Sequence, residues 1–180
     1  MAWRDMALAL GSNLGDSPAT LQGAIRDLEA VSGIDLTAVS RVFETDPVGG
    51  PEQCAYLNAV VVGGTSLHDA ELLAATQGIE RTWLRTRDVR WGPRTLDIDI
   101  LALGDDVVAT DDLVVPHPRA HERAFVLVPW VDVAPDALIP GVGAVADLVA
   151  GLDTSGVRRS GVLLVLTGTR SGVGESRWTR

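Results

Sequence analysis

Strand and helix patterns alternate along the first 103 residues in an order that few folds can accommodate. Two stretches carry apolar residues at helical spacing, one after the start signal Asp16-Ser17-Pro18 and one over residues 72–83. Four others are short apolar runs bounded by turn residues, which is typical of strands: 6–10, 36–43, 57–62 and 96–103. The predicted order is strand, helix, strand, strand, helix, strand.

This order is that of a split β-α-β arrangement, in which an antiparallel sheet carries both helices on one face. We therefore expect an α+β, ferredoxin-like βαββαβ core sandwich. The other face of the sheet needs a cover, and only the proline-rich chain after residue 115 remains to supply it. A short helix near Glu122–Val133 and a turn from Gly104 toward Val107 and Val108 predict additional C-terminal helix and hairpin elements.

The chain divides into one domain and an extension. Its 180 residues suffice for a single core, which we place at residues 1–153. Residues 154–180 form a C-terminal extension rich in Gly and Ser. Within it, Val162–Leu166 predicts an added edge strand, followed by a loose tail over Gly168–Arg180.

Composition bounds the cellular setting. No apolar run reaches the length of about 18 residues that a membrane helix needs, and Arg4 and Asp5 interrupt the start of the chain. Cys54 is the only cysteine, so a disulfide framework and a cysteine-ligated metal are excluded. We expect a cytoplasmic protein with no membrane partner.

The basic residues exclude several enzyme classes. All 15 are arginine, whereas Walker-A ATPases, protein kinases, Schiff-base aldolases and pyridoxal-phosphate enzymes each need a lysine amine. The net charge of −9 argues against nucleic-acid binding, which needs a basic face. Residues 81–94 nevertheless hold five arginines and one acid. Such a concentration favours a small anionic ligand over its alternative, a solvated arginine-rich loop.

Two aspartates directly after this cluster indicate a metal site. In a strand, Asp97 and Asp99 point to one face while Leu96, Ile98 and Ile100 point to the other. Their Cα atoms are then about 6–7 Å apart, which leaves room for two divalent cations about 3.5–4 Å from each other. Mg²⁺ prefers such carboxylates together with phosphate oxygens. With arginines adjacent, a metal–polyphosphate site is favoured over an acidic strand face.

Other polar residues suggest where an organic substrate could bind. Tyr56 and Asn58 share a strand face, where an aromatic ring and an amide can stack on a flat heterocycle and bind its edge; an ordinary strand start is the alternative. His117 lies in a stiff Pro-His-Pro segment, where a lone histidine is more often structural than catalytic. The glycines of residues 11–15 are weak evidence for a phosphate loop without a lysine.

Taken together, these segments resemble the 6-hydroxymethyl-7,8-dihydropterin pyrophosphokinase family (2-amino-4-hydroxy-6-hydroxymethyldihydropteridine diphosphokinase). The resemblance covers roughly residues 5–150, and its most specific part is RWGPRTLDIDI. The matching segments are ALGSNLGD (9–16), ETDPVGG (44–50), YLNAVV (56–61), RWGPRTLDIDIL (90–101), VPHPRAHERAFVL (115–127) and Ala134-Pro135.

The resemblance implies that ATP gives its β,γ-pyrophosphoryl group to the pterin hydroxymethyl oxygen, a step of folate biosynthesis that leaves AMP. It implies two Mg²⁺ ions on Asp97 and Asp99, and Arg85 and Arg94 as cations acting on the transition state. The implied pterin pocket comprises Thr45, Val48, Tyr56, Asn58 and Phe125. The implied ATP side comprises Gln77, Glu80, Arg87, Arg90, Trp91, Arg94, Ile100, His117 and Arg123.

Two other functions remain open from the residues alone. An Asp-x-Asp pair also serves metal-dependent nucleotide-sugar transferases, for which 180 residues is short. A non-catalytic ferredoxin-like ligand-binding module is the second, although a sensor has no need for two metals. For the favoured enzyme we expect ATP and the hydroxymethylpterin as partners, and a monomer.

Overall fold

The computed structural model describes residues 2–46, 54–83 and 95–168. The core elements are β1 (Arg4–Ser12), α1 (Ser17–Ala30), β2 (Ile34–Val39), β3 (Phe43–Thr45), β4 (Tyr56–Thr65), α2 (Asp69–Thr82) and β5 (Asp97–Leu103). The elements that follow are β6 (Val108–Ala109), β7 (Val114–Val115), a 3₁₀ turn (Ala120–Glu122), α3 (Ala124–Val133), β8 (Leu138–Ile139), β9 (Gly143–Ala144), α4 (Val145–Ala150) and β10 (Val157–Arg159). No helix in these described ranges has the length and apolar character needed to cross a bilayer.

One antiparallel sheet organises the fold. Its strand order is β10-β3-β4-β1-β5, and β2 pairs with β4 as well. Strands β6 and β7 form one hairpin, and β8 and β9 form another. The α+β class, the antiparallel sheet and the added C-terminal helices and hairpins are confirmed.

The two faces of the sheet carry separate apolar clusters. Leu10, Val61 and Ile98 point to one face and pack in a cluster with residues of α1 and α2. Ala7, Val60, Val62 and Leu101 point to the other face and pack against α3, chiefly Leu127 and the fully buried Trp130. Because successive strand residues alternate between faces, each central strand contributes to both clusters.

Helix α1 begins as its sequence predicts. The Asp16 carboxylate accepts a hydrogen bond from the backbone N–H of Ala19 at 3.1 Å, and Pro18 lies in the first turn. The side-chain oxygen thereby satisfies one of the N–H groups that the start of a helix leaves without an internal partner.

The single strand predicted over residues 36–43 is two strands, β2 and β3, separated by residues 40–42. At the break, Ser40 bonds to Val60 twice: its N–H donates to the Val60 carbonyl, and its hydroxyl accepts from the Val60 N–H, both at 2.9 Å. The next residue, Arg41, pairs with Asp132 of α3 through both its side chain and its backbone N–H. Contacts with residues distant in sequence therefore stabilise the break between β2 and β3, which the pattern of apolar residues does not predict.

The added edge strand predicted at Val162–Leu166 is wrong in position. The strand is β10, which pairs with β3, whereas residues 160–168 contain no strand. The Gln22 side chain of α1 both donates to the Val165 carbonyl, at 2.8 Å, and accepts from its N–H, at 3.0 Å. Side chains of a helix, rather than a neighbouring strand, therefore satisfy this backbone. The tail predicted over Gly168–Arg180 lies outside the described residues from 169 onward.

Placing aspartate at the core position next to β5 should unfold the protein. Leu96 is fully buried in the cluster beneath α1 and α2, so Leu96→Asp buries an unpaired charge and should lower the free energy of unfolding by roughly 3 kcal/mol or more. Leu163→Asp is the matched control, because that leucine is 83% exposed. Denaturant titration measures both. Equal stability of the two variants would contradict the assigned faces of the sheet.

Candidate functional site

A row of polar residues crosses the sheet on the face that α3 covers in part. Asn58 of β4 lies opposite Gly11 of β1, and Gly11 lies opposite Asp97 of β5. Residues paired across neighbouring strands share a face. Asp99 follows two positions after Asp97, so both carboxylates point to the face that carries Asn58.

The alternation predicted for β5 is confirmed. Ile98 and Ile100 are buried, at 6% and 5% exposure, in the apolar cluster beneath α1 and α2. Asp97 and Asp99 are only partly buried, and the Asp99 side chain is 35% exposed. Both carboxylates therefore lie on one face at a partly open end of the sheet, where solvent or a ligand can reach them.

Glu80 holds the strand between the two aspartates. Its side chain, 3% exposed, accepts a hydrogen bond at 2.9 Å from the backbone N–H of Ile98. Strand β5 is the edge of the sheet and pairs only with β1 among the described strands. A carboxylate from α2 thus occupies part of the outer edge, where a further strand would otherwise bond, and fixes the backbone that carries Asp97 and Asp99.

Two nitrogen-bearing side chains face Asp99 from the segment before α3. The nearest nitrogens of Arg123 and His117 lie 3.6 and 3.9 Å from its Oδ2 atom. The backbone N–H of His117 donates to the Leu101 carbonyl at 2.9 Å, which ties this segment to β5. Asp99 is therefore the meeting point of a strand carboxylate and two groups suited to an anionic ligand.

The imidazole of His117 is oriented by its neighbour. Its Nδ1 atom accepts a hydrogen bond from the Arg119 N–H at 3.1 Å, which directs Nε2 toward Asp99. Burial lowers the pKa of His117 below its ordinary value, with Asp99 opposing this effect and Arg123 adding to it. The ring is thereby favoured as a neutral Nε2–H donor at neutral pH.

The other end of the row is a buried amide corner. The Asn58 side-chain amide donates to the Thr45 hydroxyl at 2.8 Å, and both residues are nearly buried. Thr45 lies opposite Tyr56 in the pairing of β3 with β4, so all three side chains share a face. Phe125 lies near the start of α3, and the guanidinium carbon of Arg123 is 5.6 Å from the centre of its ring.

Gly11 lies in strand β1, whereas the sequence analysis considered it as part of a phosphate-binding loop. The phosphate loop considered for residues 11–15 begins inside a strand, since β1 continues to Ser12. A Cβ atom on Gly11 would lie 3.1 Å from Asn58 Oδ1, so the glycine gives that amide its space. A glycine within a strand signals such close approach, and this could have been recognised from the sequence.

Not all predicted site residues come together. Gln77 is exposed on α2, and Ile100 is buried beneath the helices, so neither points to the face that carries the carboxylates. Six predicted residues lie outside the described ranges: Val48, Arg85, Arg87, Arg90, Trp91 and Arg94. Within those ranges no group of three or more His, Cys, Asp or Glu side chains is arranged for a metal.

Comparison with known proteins gives a consistent match. A family model described as 7,8-dihydro-6-hydroxymethylpterin-pyrophosphokinase (HPPK) matches residues 7–135. A Bacillus subtilis protein named 2-amino-4-hydroxy-6-hydroxymethyldihydropteridine pyrophosphokinase is 48% identical over 126 residues, which are 70% of this chain and 75% of the relative. A Pseudomonas aeruginosa protein of the same name is 40% identical over 152 residues, which are 84% of this chain and 94% of the relative.

Solved structures resemble the chain in fold. A Plasmodium falciparum HPPK-DHPS structure, A437G with SDX-DHP, aligns with a TM-score of 0.69 and 13% identity over 88% of this chain. The chain spans 49% of the length of that protein, and 43% of another, an HPPK-DHPS in complex with substrates, at a TM-score of 0.63. At this identity the likeness supports the fold alone.

The Glu80 contact can be tested through stability. Glu80→Leu leaves the buried Ile98 N–H without this acceptor and should lower the free energy of unfolding by about 1–3 kcal/mol. Glu80→Gln keeps an acceptor oxygen and should cost clearly less. Urea unfolding of the two variants measures the difference, and a leucine variant as stable as the glutamine variant would show that the contact does not fix β5.

Proposed function

The chain belongs to the 7,8-dihydro-6-hydroxymethylpterin-pyrophosphokinase family, and on that premise we propose how its residues divide the reaction between them. The enzyme transfers the pyrophosphoryl group of ATP to the hydroxymethyl group of the dihydropterin, a step of folate biosynthesis. The observation that carries the proposal is the polar row, which joins a buried amide corner to a carboxylate pair on one sheet face. One end suits a neutral heterocycle and the other a charged polyphosphate.

The amide corner binds the pterin. Asn58 offers both a donor and an acceptor to the ring edge, and its bond to Thr45 fixes the orientation of the amide. Tyr56 and Phe125 supply the aromatic surfaces that stack on a flat ring. Val48 belongs to the same pocket by its place in the ETDPVGG segment.

The carboxylate pair binds the metal. The donors fit Mg²⁺, because Asp97 and Asp99 supply two hard oxygen ligands on one face and Asp99 is partly open to water and phosphate. Two Mg²⁺ ions held there compensate the charge of the ATP phosphates when bound. Glu80 keeps the two carboxylates in register through the Ile98 backbone.

Nitrogen donors beside the carboxylates bind the phosphates of ATP. Arg123 presents a fork of N–H groups suited to phosphate oxygens beside Asp99, and His117 presents Nε2 from the neighbouring segment. Arg85 and Arg94 act on the charge of the transition state. The remaining ATP contacts that the family motifs imply are Glu80, Arg87, Arg90 and Trp91, whereas Gln77 and Ile100 lie away from the carboxylate face.

The transfer is direct. The hydroxymethyl oxygen attacks the β-phosphorus of ATP and loses its proton, while the bond from that phosphorus to the oxygen bridging it to the α-phosphorus breaks and AMP leaves. This in-line displacement depends mainly on positioning and charge compensation. It needs no covalent enzyme intermediate.

The wider setting follows from the same features. We infer a ferredoxin-like arrangement, supported by a strand order in which β2 and β3 together take the place of its second strand. We also propose that the chain acts as a monomer. Cys54 is an exposed free thiol, which fits the reducing cytoplasm. The nucleotide-sugar transferase and the non-catalytic module are set aside, because the family match and both relatives are pyrophosphokinases.

The identity of the transferred group tests the reaction. With ATP labelled at the β-phosphorus, the label should appear in the pterin product and the nucleotide released should be AMP. The measurement is phosphorus nuclear magnetic resonance or mass analysis of both products. Release of ADP, with only the γ-phosphate on the pterin, would contradict the proposed transfer of a pyrophosphoryl group.

The carboxylate pair is tested by removing each aspartate in turn. Asp97→Ala and Asp99→Ala should each abolish nearly all turnover, because half of a two-metal site cannot hold both substrate and leaving group. Both variants should fold, since the side chains are only partly buried and two like charges gain nothing from proximity without metal.

The control for this test is Asp111→Ala, an exposed aspartate between β6 and β7 that contributes to neither end of the row. Turnover and thermal melts are measured for all three variants. Substantial turnover by either site variant, or loss of folding in both, would contradict the metal role.

A further inference from the structure

The strand that carries Thr45 is held from both sides. Strand β3 is only three residues long, and its inner partner is β4. Its outer partner is β10, which lies beyond residues 7–135, the part of the chain that matches the family. Without β10, β3 would be a short strand at the edge of the sheet, with the backbone groups of its outer side unpaired. The pairing with β10 therefore strengthens the attachment of β3 to the sheet.

The pairing of β10 with β3 sets Arg158 directly opposite Glu44, and Val157 opposite Thr45. Backbone bonds continue beyond both ends of the pair. The Asp46 N–H donates to the Gly156 carbonyl at 3.4 Å, and the Ser160 N–H donates to the Val42 carbonyl at 2.9 Å. The extension therefore follows the whole outer edge of β3.

The Arg158 guanidinium joins the two acids that flank Thr45. It donates from Nη1 to Asp46 Oδ2 at 3.0 Å, from Nη2 to Asp46 Oδ1 at 2.6 Å, and from Nη2 to Glu44 Oε1 at 3.4 Å. Its hydrogen bonds hold the pKa of Asp46 below the ordinary value. Glu44 and Asp46 lie two residues apart, so they share the strand face opposite Thr45 and would repel each other without this cation.

We propose that Arg158 is a positioning residue for the pterin end of the site, acting through Glu44 and Asp46 on Thr45. The proposal rests on the function proposed above, in which Thr45 orients Asn58. By pairing with both acids on one face of β3 and reducing their repulsion, Arg158 keeps the strand seated against β4. The Thr45 hydroxyl on the other face then stays at its 2.8 Å bond from the Asn58 amide. Arg158 itself touches no substrate.

The size of the effect follows from exposure. The Arg158 side chain is 48% exposed, and ion pairs open to solvent make only a modest contribution. We therefore expect Arg158→Ala to raise the KM for the hydroxymethyldihydropterin about three- to fivefold. The KM for ATP and kcat should stay near wild-type values, because the carboxylate end of the row does not depend on β3. Arg158→Lys should recover part of the loss, since an ammonium restores the charge without the planar fork.

Steady-state kinetics of the full chain test this, with Arg26→Ala as the matched control, because Arg26 is an exposed arginine that belongs to α1 rather than to β3 or β10. Raising the salt concentration should bring the wild-type pterin KM toward that of Arg158→Ala, since screening weakens the same ion pairs. In the double variant Thr45→Val/Arg158→Ala, the increase in pterin KM should be smaller than the product of the single increases, because both changes act on one contact.

The possible outcomes distinguish a failure of the positioning role of Arg158 from a failure of the proposed enzyme activity. A pterin KM for Arg158→Ala equal to that of Arg26→Ala would overturn the positioning role, as would an equal rise in the KM for ATP or strictly multiplicative effects with Thr45→Val. A wild-type chain that forms no AMP from ATP and the pterin would instead overturn the proposed function. A selective, partly lysine-rescued rise in the pterin KM supports the inference.

Discussion

The two-residue period of the central strands is the constraint on which this structure depends. Along β5, Ile98 and Ile100 point beneath α1 and α2, so Asp97 and Asp99 must point to the opposite face. The antiparallel pairings with β1 and β4 extend this division across the sheet and bring Asn58, Gly11 and Asp97 into one row. A slip of one residue in β5 would bury both carboxylates and expose both isoleucines. Burial of the apolar cluster therefore fixes the polar site at the same time.

The second constraint is the uneven cover of the sheet. Helix α3 packs on the sheet face that also carries the polar row, and it covers the part of that face around Val60 and Val62. The segment before α3 brings His117 and Arg123 to Asp99 in β5. That end of β5 stays partly open and the amide corner around Asn58 is nearly buried, which suits the proposed binding of a charged polyphosphate at one end and a neutral ring at the other. Backbone anchors from elsewhere in the chain support both ends: Glu80 at the carboxylates, and the β10 edge beside Thr45.

The features that could be predicted from the sequence are those encoded locally. Helix α1 starts where Asp16 and Pro18 indicate, and the alternation of residues 96–100 gives the faces of Asp97 and Asp99. The features that were missed depend on partners distant in sequence. Ser40 breaks a strand because its hydroxyl and N–H bond to Val60, and residues 160–168 form no strand because Gln22 satisfies the Val165 backbone. The assignment of most site residues came from family motifs, because short polar patterns such as Tyr56-Leu57-Asn58 have an equally ordinary structural explanation.

We propose that metal, nucleotide and pterin bind together on the face shared by Asp97, Asp99 and Asn58. Anomalous X-ray diffraction from crystals grown with Mn²⁺, a non-hydrolysable ATP analogue and the hydroxymethylpterin tests it most directly, because Mn²⁺ accepts the oxygen ligands that Mg²⁺ prefers and gives an element-specific signal. We expect two anomalous peaks at the carboxylates of Asp97 and Asp99, with the pterin ring against the Asn58 amide. Peaks only at other carboxylates, or a pterin bound on the α1–α2 side of the sheet, would contradict it.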